Sequence, residues 1–372
     1  MNAGMIAVVM IGVGVAATNG SNDVSKGIAT LVGSGVTQLR RAILWGTVWT
    51  GAGSLFSAIA ARALIKTFGA GLLSAGTHPG WNAAVATVIG AALFVAMATW
   101  VGLPVSTTHA LVGAVAGVGV FAYGWNGIHW TAFGGSIIVP LLLSPVLALA
   151  MTRLVLAGWQ HWVPETAAGA DCLCLADSPS LVPAPAQGCL TMNVPLPGLH
   201  VSSCRSHDGG GARITMTHLH WLTSGATSFA RGLNDSPKMV ALLLGAALAS
   251  GSKALPTADF FLVVAGGIVL GSWFAGRRVT DILAHKITSM THREGFVANL
   301  VTASLVGPGA ALGLPMSTTH VASGAIMGVA GGQVPRLNRE TIRHLVLAWL
   351  VTLPGAALLG ITVFELLHLL RA

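Results

Sequence analysis

Residues 102–109 read GLPVSTTH and residues 313–320 read GLPMSTTH. Seven of the eight letters agree across a separation of 211 positions in a chain of 372. Each run joins a helix-breaking proline to three hydroxyls and an imidazole. The chain around them is apolar, so a polar element used twice calls for an explanation.

Hydrophobic residues make up 53% of the chain and charged residues 8%, with a mean hydropathy of +0.76. Soluble domains carry about a quarter charged residues, so this chain cannot cover a globular surface in water. Apolar runs at 42–65, 81–101, 131–156, 258–276 and 345–370 each approach the ~20 residues that cross a bilayer as a helix. The expectation is an all-α, multi-pass protein of a plasma or bacterial inner membrane, in contact with lipid. The first apolar run has no Lys or Arg before it and passes into a polar motif, which reads as a retained segment and not a cleaved leader. The formal charge of +8 sits mostly in short connections. That suits membrane orientation rather than a nucleic-acid partner.

The apolar stretches fall into two groups of six: 2–18, 24–37, 42–65, 81–101, 105–123 and 132–157, then 217–233, 236–251, 257–276, 295–312, 316–333 and 343–370. Three segments follow: a first repeat (1–157), a Pro-rich hydrophilic linker (158–216), and a second repeat (217–372). The linker holds Pro164, Pro179, Pro183, Pro185, Pro195 and Pro197 without sustained helical periodicity, and reads as exposed and poorly ordered. The repeat is wider than the octapeptides. Gly20-Ser-Asn22-Asp23-Val-Ser-Lys26 matches Gly232-Leu-Asn234-Asp235-Ser-Pro-Lys238, and Asp23 to Ser106 spans 83 positions where Asp235 to Ser317 spans 82.

Duplicated halves are a common plan of secondary transporters, with the substrate held near the midplane where the halves meet. Arg277, Arg278, Lys286 and Arg293 precede one segment pair, and Arg336, Arg339 and Arg343 follow it. Both connections are therefore expected to be cytoplasmic. The matching connections of the first half hold only Arg62 and Lys66, an asymmetry that favours halves inserted in opposite senses. Six full spans per half would give parallel halves, so inversion requires a broken or re-entrant stretch in each.

Asn22, Asp23, Asn234 and Asp235 lie inside apolar segments, where a carboxylate costs about 2.5–3.5 kcal/mol on insertion scales. Glycine precedes each pair and can open the helix, which is tolerated where backbone lines a cavity or is buried. Plain helix caps are the alternative, but caps do not explain a lysine three residues on. Lys26 and Lys238 can pair locally with Asp23 and Asp235. They either neutralise that burial or set the charge of a site. Two carboxylates, two ammoniums and Arg231 leave a net +1, which suits an anion.

Pro104 and Pro315 can start new helices. Ser106, Thr107, Thr108, Ser317, Thr318 and Thr319 then offer hydroxyls and free N–H groups at two helix N-termini, an arrangement that binds oxyanions. A single such run is weak, since hydroxyls also glue membrane helices together; the pairing of two runs with two Asn-Asp motifs is what points to a site. His109 and His320 can relay protons or simply pack. Arg231, whose partner position is Asn19, can grip a phosphate or sulfate with two parallel bonds.

On the strength of GSNDVSKG, GLNDSPKM and the two GLP-x-STTH runs, the chain resembles the inorganic phosphate transporter (PiT) family over 1–157 and 217–371. The resemblance implies an all-helical transporter of inverted repeats whose substrate site is built from Asn22, Asp23, Ser106, Thr107, Thr108, Asn234, Asp235, Ser317, Thr318 and Thr319. It implies phosphate as cargo, a sodium or proton gradient as the driving force, and sulfate as the cargo of some relatives. Sodium-coupled members of that family have small or neutral residues where Lys26 and Lys238 stand. An ammonium can occupy the ion's electrostatic role, so the expectation is a carrier that is proton-coupled or otherwise independent of sodium. Phosphate is favoured over sulfate because a protonated phosphate oxygen can donate to a carboxylate, whereas sulfate would leave Asp23 and Asp235 repelled and unsatisfied.

Two other classes compete with this reading. A membrane enzyme acting on phosphate esters would want a nucleophile–base pair or metal-ligating carboxylates, and an anion channel needs one pore rather than matched, helix-breaking motifs. Neither cofactor nor metal is expected. Cys172, Cys174, Cys189 and Cys204, with His200 and His207 nearby, lack the C-x-x-C spacing of zinc sites and read as scattered thiols, reduced if cytosolic. A homodimer is compatible with this plan.

Overall fold

The computed structural model describes residues 2–69, 71–162, 172–175, 199–201, 213–251, 255–331 and 334–370. The first half comprises α1 (Ala3–Asp23), α2 (Ser25–Gly33), α3 (Leu39–Ala60), α4 (Arg62–Gly69), α5 (Trp81–Val101) and α6 (Thr107–Tyr123). A single turn, α7 (Trp130–Ala132), then passes through a π-helical stretch into α8 (Val139–Trp162). The second half comprises α9 (Met216–Ala249), α10 (Thr257–Ala275), α11 (Arg277–Asp281), α12 (His292–Ala311), α13 (Thr318–Val329) and α14 (Arg339–Leu369). Ala3–Gly33, Leu39–Ala60, Trp81–Val101, Trp130–Trp159, Thr257–Ala275 and Arg339–Leu369 are long and apolar enough to cross a membrane. At 34 residues α9 is as long, but Arg231, Asp235 and Lys238 fall within it. Exposed Leu, Val, Phe and Trp side chains along these helices are the surface expected of a protein solvated by lipid.

Between the halves, β1 (Cys172–Leu175) pairs antiparallel with β2 (Leu199–Val201) and β3 (Arg213–Thr215), in the order β2-β1-β3. These three short strands are the regular structure that the described residues show between Trp162 and α9. The prolines singled out above, with Cys189, Cys204 and His207, lie outside the described residues.

The octapeptides are where helices break. Gly102 (φ 86°) and Gly313 (φ 77°) take the left-handed conformation that ends a helix without a Cβ penalty. The same pair of bonds closes both ends: Gly102 N to Thr99 O with Leu103 N to Ala98 O, and Gly313 N to Ala310 O with Leu314 N to Gly309 O. Three extended residues follow, and Ser106 and Ser317 cap α6 and α13 by accepting from His109 N and His320 N at 3.2 Å. Because Gly80 N donates to Tyr123 Oη at 2.8 Å, the end of α6 returns to the start of α5. The octapeptide is therefore the tip of a hairpin, and α12–α13 repeats the arrangement.

The Asn-Asp motifs, by contrast, do not open the helix, which corrects the sequence reading. Only Val24 separates α1 from α2, and it keeps helical angles (φ −55°, ψ −33°); α9 runs unbroken through Pro237. The polar side chains project from one helix face at i, i+3, i+4 and i+7, so the backbone need not unwind to present them. The neighbouring glycines serve close packing instead. A Cβ at Gly20 would strike the Ile268 carbonyl, and one at Gly232 the Thr50 carbonyl.

Helices of one half pair in parallel with helices of the other. Gly12 faces Val263, Gly267 faces Val13 and Gly271 faces Ala17 along α1 and α10, while Gly225 faces Trp49 and Gly232 faces Thr50 along α3 and α9. Gly113 and Gly117 meet Leu353 and Ala357 of α14, just as Gly324 and Gly328 meet Pro145 and Leu149 of α8. The last two contacts use the same 211-residue offset as the octapeptides. Gly324→Ala is expected to destabilise the protein by about 1–3 kcal/mol through overpacking against the Pro145 carbonyl. Gly266→Ala, which has open space at its Cβ, should leave the detergent melting temperature unchanged or raised. Equal melting of both variants would refute this account of the helix pairs.

Candidate functional site

Asn19, Asn22, Asp23 and Lys26 share one face of α1–α2, and Arg231, Asn234, Asp235 and Lys238 repeat that spacing on α9. All eight are buried. Lys26 Nζ donates to Asp23 Oδ1 at 2.6 Å, Asn22 Oδ1 at 2.7 Å and Asn22 O at 2.9 Å, with Val105 O at 3.5 Å. Lys238 Nζ donates to Thr108 Oγ1 at 2.7 Å and Met316 O at 3.0 Å, and its pair with Asp235 Oδ1 is longer, at 3.5 Å. Both expected local ion pairs are thus present, but each lysine also reaches the extended backbone of a hairpin tip. Proline and the glycine stop leave those carbonyls outside any helix, which makes them available to an ammonium.

The tips bond to each other as well. Thr319 Oγ1 donates to Val105 O at 2.7 Å, Thr108 Oγ1 to Met316 O at 3.4 Å, and Ser317 Oγ to Ser106 Oγ at 2.9 Å. Thr107 and Thr318 hydroxyls both approach Asp23 Oδ2 at 3.5 Å. The structure therefore brings together ten predicted substrate residues, with different tasks. The serine hydroxyls are engaged as caps and with each other, whereas the first-turn N–H groups of Thr107, Thr108, Thr318 and Thr319 belong to the set that helix geometry leaves without intrahelical partners. Asn234 Nδ2 donates to Asp235 Oδ1 and Met316 O, both at 2.9 Å.

His109 and His320 lie behind the tips, with ring centroids 4.3 Å apart, and His320 is 4.0 Å from the Trp349 ring. His320 Nδ1 faces Leu141 O at 3.4 Å; His109 Nδ1 and His320 Nε2 have no hydrogen-bond partner. Arg231 is set to one side. Its Nε donates to Thr50 Oγ1 at 3.3 Å and its Nη2 to Ser272 Oγ at 3.5 Å, while Nη1 is buried without a partner.

Asn19 was missed by the sequence reading as a site residue. Its Nδ2 lies 3.2 Å from both Asp23 Oδ2 and Asp235 Oδ2 and 3.1 Å from Thr107 Oγ1, so it joins the two halves. Its spacing of four from Asp23, on the face that carries Asp23 and Lys26, was the available signal. Thr99, which accepts from Asn22 Nδ2 at 2.9 Å, carried none. Among the described residues no group of three or more His, Cys, Asp or Glu side chains converges as for a metal ion.

A profile of the phosphate transporter family matches residues 19–360, a range that contains every residue of the cluster. The chain belongs to the phosphate transporter family. This transporter is 26% identical to a Pyrococcus abyssi protein that carries the name phosphate permease, over 99% of this chain and 98% of that one. It is also 26% identical to inorganic phosphate transporter 2-1, chloroplastic, of Arabidopsis thaliana, over 92% of this chain and 68% of that one. A solved structure of a protein called the sodium-dependent phosphate transporter matches with a TM-score of 0.80 at 23% identity, covering 99% of this chain and 100% of that chain. At that identity the likeness is one of fold. Family membership places the chain among transporters and removes the phosphate-ester enzyme from consideration.

Removing one partner of a buried pair leaves an uncompensated charge. Lys26→Ala should therefore cost about 3–5 kcal/mol, whereas Asp23→Asn combined with Lys26→Met should recover most of that loss. Thermal unfolding in detergent reads both. A single variant as stable as the parent would mean the pair is solvated.

Proposed function

We propose that the transporter carries inorganic phosphate by alternating access at the interface of two inverted halves, without a requirement for sodium. The observation that carries this reading is the meeting of two Asp–Lys pairs and two hairpin tips, separated by more than two hundred residues in sequence, in one buried cluster bonded across the halves.

Inversion is supported by the direction of the helix pairs. The turn after α2 sends α3 back along it, with Val24, Ile28, Ala42 and Ile43 in one apolar cluster. Since α10 runs parallel to α1 and α9 runs parallel to α3, α9 and its repeat equivalent α1 point in opposite directions. Counting α5–α6 and α12–α13 as re-entrant hairpins leaves three spans per half, the odd number that inversion needs. It also gathers Arg40, Arg41, Lys286, Arg293, Arg336, Arg339 and Arg343 at one face. There Gly33 abuts Ala284, Asn338 N donates to Ile287 O and Arg336 pairs with Glu294. That face is read as cytoplasmic.

The cluster's two carboxylates, two ammoniums and neighbouring guanidinium sum to +1, which favours an anion. A phosphate that retains a proton can donate to Asp23 or Asp235, and Arg231 Nη1 is free to pair with an oxyanion. Lys26 Nζ is surrounded by oxygens of Asn22, Asp23 and Val105, the environment a coupling cation would otherwise need. A proton remains as the coupling ion, with Asp23, Asp235 and the His109–His320 pair as the groups able to carry it.

Uptake of labelled phosphate into proteoliposomes at pH 6, with and without sodium and with excess sulfate, tests the reading. Sodium-indifferent uptake that resists sulfate, collapses with an uncoupler and is lost in Asp23→Asn is expected. Uptake erased by sulfate would move the assignment to a sulfate permease. Sodium-stimulated uptake would overturn the role given to Lys26, and failure to drive counterflow would favour a channel.

A further inference from the structure

The two halves are alike at the cluster and unlike on either side of it. Toward the basic face, α9 meets α2 and α12 through polar side chains. His220 Nε2 lies 3.0 Å from Thr30 Oγ1, Ser224 Oγ donates to Gly27 O at 2.7 Å, and Thr227 Oγ1 donates to Asn299 O at 2.9 Å. All of these residues are buried. The repeat places the equivalent seam on the opposite side of the cluster, between α1, α5 and the second part of α9. There Val8 stands for His220, Val15 for Thr227, Ala16 for Ser228 and Val88 for Asn299. These four belong to one apolar core.

Hydroxyls that satisfy carbonyls between membrane helices are ordinary glue, and that accounts for Ser224 and Thr227. It does not account for Ser228 Oγ, Asn299 Nδ2 and His220 Nδ1, each buried with no hydrogen-bond partner. Such atoms are costly in a low-dielectric interior and rare in native proteins. Three of them line a single seam, and the apolar seam has none at the four equivalent positions. The contacts that close the polar seam are also small: Gly27 faces Ser228, and Gly295 faces His220 and Thr30. A slight separation of α9 from α2 and α12 would expose a cleft lined by amide, hydroxyl and imidazole groups.

We propose that the seam between α2, α9 and α12 is the route by which the anion passes between the central cluster and the basic face, with the His220–Thr30 contact as its outer closure. The inference rests on the transport reading above. It adds that access from the opposite face does not use the repeat-related seam, because the positions equivalent to His220, Thr227, Ser228 and Asn299 are all apolar there.

Cysteine accessibility tests it. In a background with Cys172, Cys174, Cys189 and Cys204 replaced by Ser, Ser228→Cys and Asn299→Cys are compared with Ala16→Cys and Val88→Cys. A membrane-impermeant methanethiosulfonate is applied from the basic face of sealed vesicles, and modification is read by intact mass. Thiol reaction depends on access, so the seam cysteines should react at least about tenfold faster than the apolar pair, at a rate that changes when inorganic phosphate is added. Thr227→Cys and Val15→Cys replace any member that fails to give a monodisperse protein. Rates equal between the two seams would overturn the route. Phosphate uptake by the cysteine-free parent, measured in the same vesicles, separates the two ideas. Labelling without uptake keeps the seam and removes phosphate as cargo, whereas uptake without labelling removes the seam alone.

Discussion

Burying Asp23 and Lys26 together inside a bilayer is the constraint on which the rest of this structure depends. Both charges are buried, so the protons of the ammonium and the lone pairs of the carboxylate have to be met by protein. Asn22 supplies a side-chain and a backbone oxygen, Asn19 and Thr107 approach the carboxylate, and Val105 contributes a carbonyl. The second pair meets the same requirement with Asn234 and Met316 of its own half and Thr108 of the first. A lysine can recruit a tip carbonyl only if that carbonyl is released from helical bonding. This ties the ion pairs to the Gly-Leu-Pro breaks that release it, and explains why the two motifs occur together in each repeat.

The glycines meet a second requirement, that helices from different halves approach closely enough for short side chains to bridge. Where Gly20 lies on the Ile268 carbonyl and Gly232 on the Thr50 carbonyl, α1 and α9 are drawn against α10 and α3, and their polar faces turn toward the tips. In lipid there is little hydrophobic gain from pressing helices together, so close van der Waals packing at small residues carries much of the association. The same pattern recurs at Gly113 and Gly324, which dock the hairpins on α14 and α8. Packing and site geometry are therefore set by the same helix pairs.

Duplication places like groups on both sides of the cluster, and departures from it make the two sides differ. Asn19 bridges both carboxylates, whereas its counterpart Arg231 turns to Thr50 and Ser272 and keeps Nη1 unpartnered. His220, Ser228 and Asn299 face apolar counterparts across the cluster. Fixed charge and unsatisfied polar atoms are both expensive in an apolar medium, and their concentration on one side is the observation on which the proposed anion route rests.

The sequence by itself determined that the chain is a helical membrane protein with two related halves, because apolar runs, charge scarcity and a repeated spacing are properties of the linear string. It also named both Asp–Lys pairs, since a spacing of three places side chains together on any helix, and it named both tips through proline and the capping serines. It could not decide whether the helices also break at Asn-Asp. Glycine next to Asn-Asp permits either an opened turn or a tight crossing, and only the neighbouring carbonyls of Ile268 and Thr50 select the crossing. Nor could it show that Asn19 joins the two carboxylates or that the serines face one another. Those contacts join residues up to 216 positions apart, and such distances are fixed by how helices of both halves pack, not by any local propensity.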